Sequence, residues 1–414
     1  MKKILILTVT AGNGHNACAK GMKEKLESFP ETEVKVVDLI KSFSTPRAFW
    51  TVDSGYSLAV GHFLPLYNAF YEHYKKAKPE NRFKCMAQKT ALPCTEGLLK
   101  EIYTYQPDVI YCTHFYAGIA LTDLRLKYNL PCKVFISNLD YVNSPFWEGC
   151  IGVDYFAIPN EDFIEECIEE GFKEQQLLPM GLPVNEKFYF ETDRKQAKRE
   201  LGLDENVFTV LSMFGGGHWG GGLKIFEALT TAVTDRPIQI IMINGRNKKS
   251  YEKIEQMTFP ENVKVINVGF TDKMPTYMAA ADLAINKLGG TSATEILNKQ
   301  IPILVTTHLA AQEKHNLNYL TEKGVVLPFK NKKQLKAQLL RLINDQELYN
   351  KMVANIAPLR RNGIDNLARF MIEQENADYS QIDESKIDYS NIKKEMKKAT
   401  KQAHKQTKKQ AKKQ

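Results

Sequence analysis

Short apolar runs alternate with longer amphipathic stretches along most of this chain, and the alternation begins again halfway. The runs of the first half are Ile4–Val9, Val34–Leu39, Val109–Cys112, Lys133–Ser137 and Tyr155–Ile158. Those of the second half are Val207–Met213, Ile238–Ile243, Val263–Asn267, Leu283–Asn286 and Ile303–Thr306. Strands that are apolar on both faces and separated by helix-length segments belong in parallel sheets covered by helices. The fold class expected is therefore α/β, with two doubly wound domains. A length of 414 residues also exceeds what one core ordinarily organises. Glycine and proline interrupt the pattern at "MGLPVNEKFY", Met180–Tyr189. Boundaries are expected at 1–185 for the first domain, 186–375 for the second and 376–414 for a tail.

Charge has to be located before it means anything. The net charge is +8, but Lys393–Gln414 alone carries ten lysines against one acid, Glu395. The rest of the chain is about neutral, which argues against a nucleic-acid-binding surface. The Lys/Gln/Ala tail has almost no apolar face and is expected to be disordered. It reads as a solubilising tail or as a partner for an anionic membrane surface; loose RNA adhesion would have the same look. Seven cysteines form no C-x-x-C pair and suit small core residues of a reducing compartment. The apolar run of "MKKILILTVTAG" is short for a secretory signal, and nowhere do about eighteen apolar residues follow one another. The expected location is cytoplasmic, soluble or peripheral. Between the second and third strands, an insertion at 43–78 holds nine aromatic residues within Phe43–Lys76. It reads as a helical pair over the sheet, or as an interfacial patch with Lys75, Lys76 and Lys78 at a headgroup boundary.

Three glycine turns carry the chemistry. In "LTVTAGNGHNACAKG" a strand feeds a turn that meets the loose dinucleotide pattern, and Asp38 ends the second strand where a ribose-binding acid would stand. Against that reading, His15 puts an imidazole where backbone should close on a pyrophosphate. The second turn, "FGGGHWGGG", gathers Gly215, Gly216, Gly217 and His218 ahead of a helix, a cradle for an anion. In the third, "KLGGTSATE", Gly290, Thr291 and Ser292 open a helix that carries Glu295 one turn in. A carboxylate there can accept hydrogen bonds from two vicinal ribose hydroxyls, or merely favour the helix dipole. The next strand leads to "HLAAQEKHN", with Gln312, Glu313 and Asn316 at the same sheet edge.

With "AGNGHNACA", "GLPVNEKF", "FGGGHWGGG", "INGRNKK" and "KLGGTSATE…AAQEKHN" in this order, the chain from Lys2 to about Asn366 resembles one enzyme group. That group is the monogalactosyldiacylglycerol synthases and processive diacylglycerol glucosyltransferases of glycosyltransferase family 28. The resemblance implies a GT-B architecture: two Rossmann-like domains facing across a cleft, with lipid acceptor in the first and UDP-sugar in the second. It implies that Glu295 binds ribose, that Gly290, Thr291 and Ser292 face the pyrophosphate, and that Gln312 and Glu313 contact the sugar. Phe270, after Gly269, matches the position bordering the uracil, and Arg246 stands in the "GRN" loop. His15 matches the candidate general base, with Asp140 orienting it or supplying the charge. Gly14 and Trp147 fall at the acceptor, while His114, read from its place at the end of the third strand, could bind acceptor or donor phosphate or be structural.

Two departures stand out. Lys287-Leu288-Gly289-Gly290 replaces the K-P-G-G of many relatives, which predicts a less rigid turn. Between Asp140 and Trp147, Ser144 replaces a histidine. The expected activity is inverting transfer of a hexose from UDP-glucose or UDP-galactose to a diacylglycerol-type lipid on the cytoplasmic face of the membrane. No D-x-D triad occurs, so no metal and no cofactor beyond the donor substrate is expected. The rival readings are a lipid-II-type N-acetylglucosaminyltransferase, an NAD-dependent enzyme, and a catalytically silent UDP-sugar-binding protein.

Overall fold

The first sheet contains β1 (Lys2–Thr8), β2 (Thr32–Asp38), β3 (Val109–Cys112), β4 (Lys133–Ser137), β5 (Tyr155–Ala157) and β6 (Leu177–Leu178). The strands are all parallel, in the order β2-β1-β3-β4-β5-β6. The second sheet contains β7 (Thr209–Met213), β8 (Ile238–Ile243), β9 (Val263–Val268), β10 (Leu283–Asn286), β11 (Ile303–Thr306) and β12 (Val326–Phe329). Its parallel order is β12-β11-β10-β7-β8-β9. These are the two doubly wound α/β halves expected from the alternation. The computed structural model describes residues 1–10, 13–76, 89–214, 222–233, 235–307 and 309–399.

Central strands bury both faces. Ile4, Leu5, Ile6 and Leu7 are fully enclosed, as are Val210, Leu211, Ile240 and Ile241 in the second sheet. Burying a side chain of this kind is worth about 1.5–3 kcal/mol. Cys18, Cys94, Cys112, Cys132, Cys150 and Cys167 are buried with free thiols, while Cys85 lies outside the described residues. No helix among the described residues is long and apolar enough to cross a membrane.

The two compact units are interleaved in sequence. One comprises Met1–Leu139, Asn143–Val184 and Asn362–Gln414; the other comprises Asp140–Val142 and Asn185–Arg361. The chain thus returns to the first unit thirteen residues sooner than the expected end of the second domain at 375. The helix Gly363–Ile372 buries Ile364, Leu367, Ala368 and Met371 in the first core, beside Met22 and Leu26 of the helix Asn13–Leu26. Lys25 and Asp365 form an ion pair at 2.5 Å across the two helices.

Residues 376–399, expected as disordered tail, also pack on the first unit. Ala377 donates its N–H to Asp108 Oδ1 at 2.8 Å, and the Tyr379 hydroxyl donates to the Pro107 carbonyl at 2.8 Å. Further on, Tyr128 donates to Glu395 at 2.7 Å while Ile392 and Met396 are fully buried. One apolar residue per helical turn is enough to seat this segment, with Lys393, Lys394, Lys397 and Lys398 facing out. Residues 400–414 lie outside the described part.

Candidate active site

In each sheet the strand order reverses beside the first strand of that sheet, between β1 and β3 and between β7 and β10. Ligands of open α/β sheets bind at the carboxyl ends of strands at such a reversal. Both reversals carry residues singled out in the sequence.

In the first unit, β1 leads into the helix Asn13–Leu26, whose first turn holds Gly14 and His15, both half-buried. The end of β3 supplies Thr113 and His114. His15 Nδ1 meets the Thr113 carbonyl at 2.5 Å. A carbonyl only accepts, so Nδ1 carries the proton and Nε2 presents its lone pair. Burial lowers the His15 pKa from 6.5 to about 4, against the raising effect of the Thr113 carbonyl. The imidazole is therefore neutral at cellular pH, and a weaker base than an ordinary histidine.

His114 is set the opposite way. It caps the helix Phe115–Arg125 by accepting the Tyr116 N–H on Nδ1 at 3.2 Å, which leaves the proton on Nε2. Burial holds it well below its ordinary pKa, with His15 as the second cause. The two rings lie 4.6 Å apart. One neutral imidazole offers an acceptor and its neighbour offers a donor, which is what a hydroxyl needs to be held and deprotonated.

Two sequence assignments in this unit change. Trp147, expected at the acceptor, is only 4% exposed and packs against Phe156 and edge-on to Phe115, so it shapes the wall from behind. Asp38, the acid of the dinucleotide reading, is already engaged: Oδ2 accepts the Thr10 N–H and hydroxyl, and Oδ1 caps Lys41 N–H.

In the second unit, β10 ends in a turn before the helix Gly290–Asn298. The turn is not loosened by Leu288 in place of proline. Leu288 is buried at φ +59°, donates to Asn286 Oδ1 at 2.6 Å and accepts from Asn316 Nδ2 at 2.9 Å. Proline could neither adopt that φ nor donate that bond. Side-chain bonds therefore fix this turn without a proline ring. The Ser292 hydroxyl is drawn into the same turn, donating to Asn286 Oδ1 and the Gly289 carbonyl.

Asp140 belongs to this second unit rather than to the first, where the sequence reading put it. Its Oδ1 accepts from the Gly290 N–H at 3.1 Å and from Asn316 Nδ2 at 2.8 Å. Burial raises its pKa to about 6; Asn316 and Gly290 pull the other way. Within the first unit, the His15 ring is oriented by the Thr113 carbonyl. Asp140 instead occupies the first amide of the helix expected to face a pyrophosphate. Thr291 and Ser292 supply the next amides, which an α-helix leaves without an intrahelical partner.

Glu295 is half-buried, and no hydrogen bond or ion pair is formed by its carboxylate among the described residues. Dry surroundings alone raise its pKa from 4.5 to about 8. Glu313 is engaged, accepting from Lys287 Nζ at 2.9 Å and from the Ala310 N–H at 3.2 Å, and it stands beside Gln312 at the start of the helix Ala311–Glu322. Phe270 is 72% exposed after Gly269, and the Arg246 guanidinium covers its ring at 5.1 Å. An exposed ring braced by a cation offers a flat face for a base. Gly215, Gly216, Gly217 and His218 lie outside the described residues. Among the described residues no group of three or more His, Cys, Asp or Glu could hold a metal ion.

Sequence reasoning missed Thr113, whose carbonyl meets His15, and Thr10 and Asn16, which hydrogen-bond to one another at the same turn. Small polar residues of this kind carry no sequence signal; only their meeting in space singles them out.

Comparison with known proteins agrees with this geometry. Residues 15–184 match the family model "Monogalactosyldiacylglycerol (MGDG) synthase", and residues 223–367 match "Glycosyltransferase family 28 C-terminal domain". A probable chloroplastic monogalactosyldiacylglycerol synthase of Glycine max is 31% identical over 335 residues, 78% of this chain and 62% of that protein. A processive diacylglycerol beta-glucosyltransferase of Staphylococcus carnosus is 26% identical, covering 78% of this chain and 80% of that protein. The chain spans about three-fifths of the length of the plant synthases it matches. Among solved structures, Acinetobacter baumannii MurG aligns with TM-score 0.60 at 14% identity, covering 90% of this chain and 100% of that one. The UDP-GlcNAc 2-epimerase of Neisseria meningitidis aligns with TM-score 0.55 at 15% identity, covering 90% and 99%. The fold is GT-B, and the chain carries, in order, a segment matching monogalactosyldiacylglycerol synthases and a segment matching the C-terminal domain of glycosyltransferase family 28.

Proposed function

We propose that this protein moves a hexose from a UDP-sugar to the hydroxyl of a diacylglycerol-type membrane lipid, with inversion and without a metal ion. The observation that carries this reading is the state of His15. Its Nε2 lone pair stands at a sheet reversal beside a neutral histidine that presents an N–H. Mechanistically, Nε2 takes the acceptor proton as the hydroxyl oxygen bonds to the anomeric carbon, while the bond to the UDP oxygen breaks. The departing charge is met by helix-start amides at Thr291 and Ser292. Glu295 holds the ribose, and Gln312 with Glu313 reads the sugar. Phe270 and Arg246 border the base.

The lipid side is supported by the insertion. Trp50 and Leu58 of the helix Pro46–His62 are 61% and 48% exposed, and Phe63, Leu66 and Phe70 at the helix Leu64–Lys76 are 54%, 69% and 43% exposed. An apolar patch of this make-up suits peripheral attachment to a membrane, here on its cytoplasmic face. Lys75 is turned inward, donating to Glu166 and to the Asn143 carbonyl, so headgroup contact falls to Lys76. Lys78 lies outside the described residues. The fold is shared with an epimerase, whereas the sequence relatives are named as lipid glycosyltransferases, which favours transfer.

The test is incubation with labelled UDP-glucose or UDP-galactose and diacylglycerol liposomes, followed by separation of the lipids. Label is expected in a glycolipid with one of the two donors. Label left wholly in nucleotide or free sugar would refute transfer. Turnover is expected to persist in excess chelator; activity lost there and restored by Mg²⁺ or Mn²⁺ would refute the metal-free mechanism.

Donor binding has its own check. Glu295→Gln is expected to weaken UDP about 10-fold or more, because an amide cannot accept from both ribose hydroxyls. The carboxylate must ionise to accept both, so the wild-type advantage over the variant should grow as the pH is raised toward 8. Titration calorimetry at several pH values reads this. Equal affinities throughout would remove Glu295 from the ribose.

A further inference from the structure

Beneath His15 runs a chain of hydrogen bonds with a single sense. The Thr113 hydroxyl donates to Thr8 Oγ1 at 3.1 Å, and Thr8 donates to Asn16 Oδ1 at 2.9 Å. Asn16 Nδ2 donates to Thr10 Oγ1 at 3.1 Å, and Thr10 donates to Asp38 Oδ2 at 2.6 Å. The chain joins β1, β2, the end of β3 and the first turn of the helix that carries His15.

Its direction is imposed from one end. An ionised carboxylate only accepts, so the Thr10 proton must point to Asp38, and Thr10 Oγ1 must accept from elsewhere. That demand turns the amide of Asn16 so that its NH₂ faces Thr10 and its oxygen faces Thr8. Thr8 then donates to Asn16 and accepts from Thr113. Thr8 is 5% exposed and Thr113 fully buried, so water does not substitute for these partners.

Both ends of the His15 Nδ1–H···O=C Thr113 bond are thereby tied to one network. The ring belongs to the turn pinned by Asn16, and the carbonyl belongs to the residue pinned by Thr8. We infer that Asp38, Thr10, Asn16 and Thr8 are positioning residues that hold His15 in the Nδ1–H tautomer. The inference rests on the proposed role of His15 in transfer, but the tautomer can be read without turnover. A neutral imidazole in water prefers the proton on Nε2, which would block its use as base. The network opposes that preference.

The experiment uses the full-length protein labelled with ¹⁵N-histidine, long-range ¹H–¹⁵N correlation spectra, and transfer kinetics. Thr10→Val keeps the shape and removes the link. It is expected to convert the single Nδ1–H signal of His15 to a mixture, and to lower kcat about 10-fold with KM for the UDP-sugar unchanged. Thr10→Ser should restore both. Thr8→Val breaks the chain two bonds nearer to Thr113; it should give the same result, and it replaces Thr10→Val as the test if that variant fails to fold. A single Nδ1–H signal retained in either folded valine variant would overturn the inference. A tautomer change in a protein whose wild type transfers no sugar would uphold the network while refuting the proposed reaction.

Discussion

Replacement of His15 by alanine is expected to lower turnover by about 10²–10⁴-fold, with UDP affinity unchanged. The loss is large because, among the described residues near the end of β1, no other side chain combines an accepting nitrogen with neutrality at cellular pH. His114 has its accepting nitrogen closed by the Tyr116 N–H. A base lowered to about 4 gains strength only as the lipid hydroxyl bonds to the sugar and sheds its proton, so removal should be felt in kcat. The acid limb of the wild-type profile follows from the same shift. Neutral His15 persists as pH falls until about 4, and turnover should hold to that region instead of failing near 6.5. Stability runs the other way. The unfolded histidine takes up its proton first, so folding weakens as pH drops from 6.5 toward 4. Rate measurements across this range, with fluorescence to monitor folding, separate the two. Near-normal turnover in His15→Ala would remove the residue from the chemistry.

Gly363→Ala should be the most damaging single methyl in the first unit. A Cβ at this position would lie 2.5 Å from the Gly181 carbonyl oxygen, 2.6 Å from its carbon and 2.8 Å from the Leu182 oxygen. All three are backbone atoms with no rotamer to yield. The helix that begins at Gly363 would have to lift, taking Ile364, Leu367 and Met371 with it. We expect a loss of about 3 kcal/mol, read as a fall in Tm of ~10 °C by calorimetry. A variant that melts with the wild type would mean that the two segments do not touch.

Much of the fold could be read from residue order alone, because parallel strands buried on both faces leave plain apolar runs such as Ile4–Val9 and Ile238–Ile243. Two strands escaped. β6 is two residues long, below any periodic signal, and β12 carries Pro328, which masks an edge strand by interrupting its pattern. The return of the chain at Gly363 escaped for another reason. An apolar face every 3.6 residues announces that a helix will be buried, but not which sheet will receive it.

The site divides along similar lines. His15 and Glu295 are conspicuous because an imidazole behind glycines and a carboxylate inside an apolar helix both cost something locally. Trp147 misled because a matching motif does not distinguish a ring that lines a cleft from one behind its wall. At Leu288 the left-handed backbone is invisible in the letters, since leucine rarely adopts it. The threonines near His15 are ordinary until β1 and β3 lie side by side.

The interruption of the first unit bears on how the protein comes to exist. Synthesis delivers β1 to β6 early, yet the helix Gly363–Ile372 that completes their cover leaves the ribosome more than 170 residues after Val184. Residues 185–361 emerge as an almost uninterrupted module and can finish first, although they come later in the message. The nascent amino-terminal sheet waits meanwhile with part of its greasy side bare, and is then the stage at which a chaperone would have most to hold.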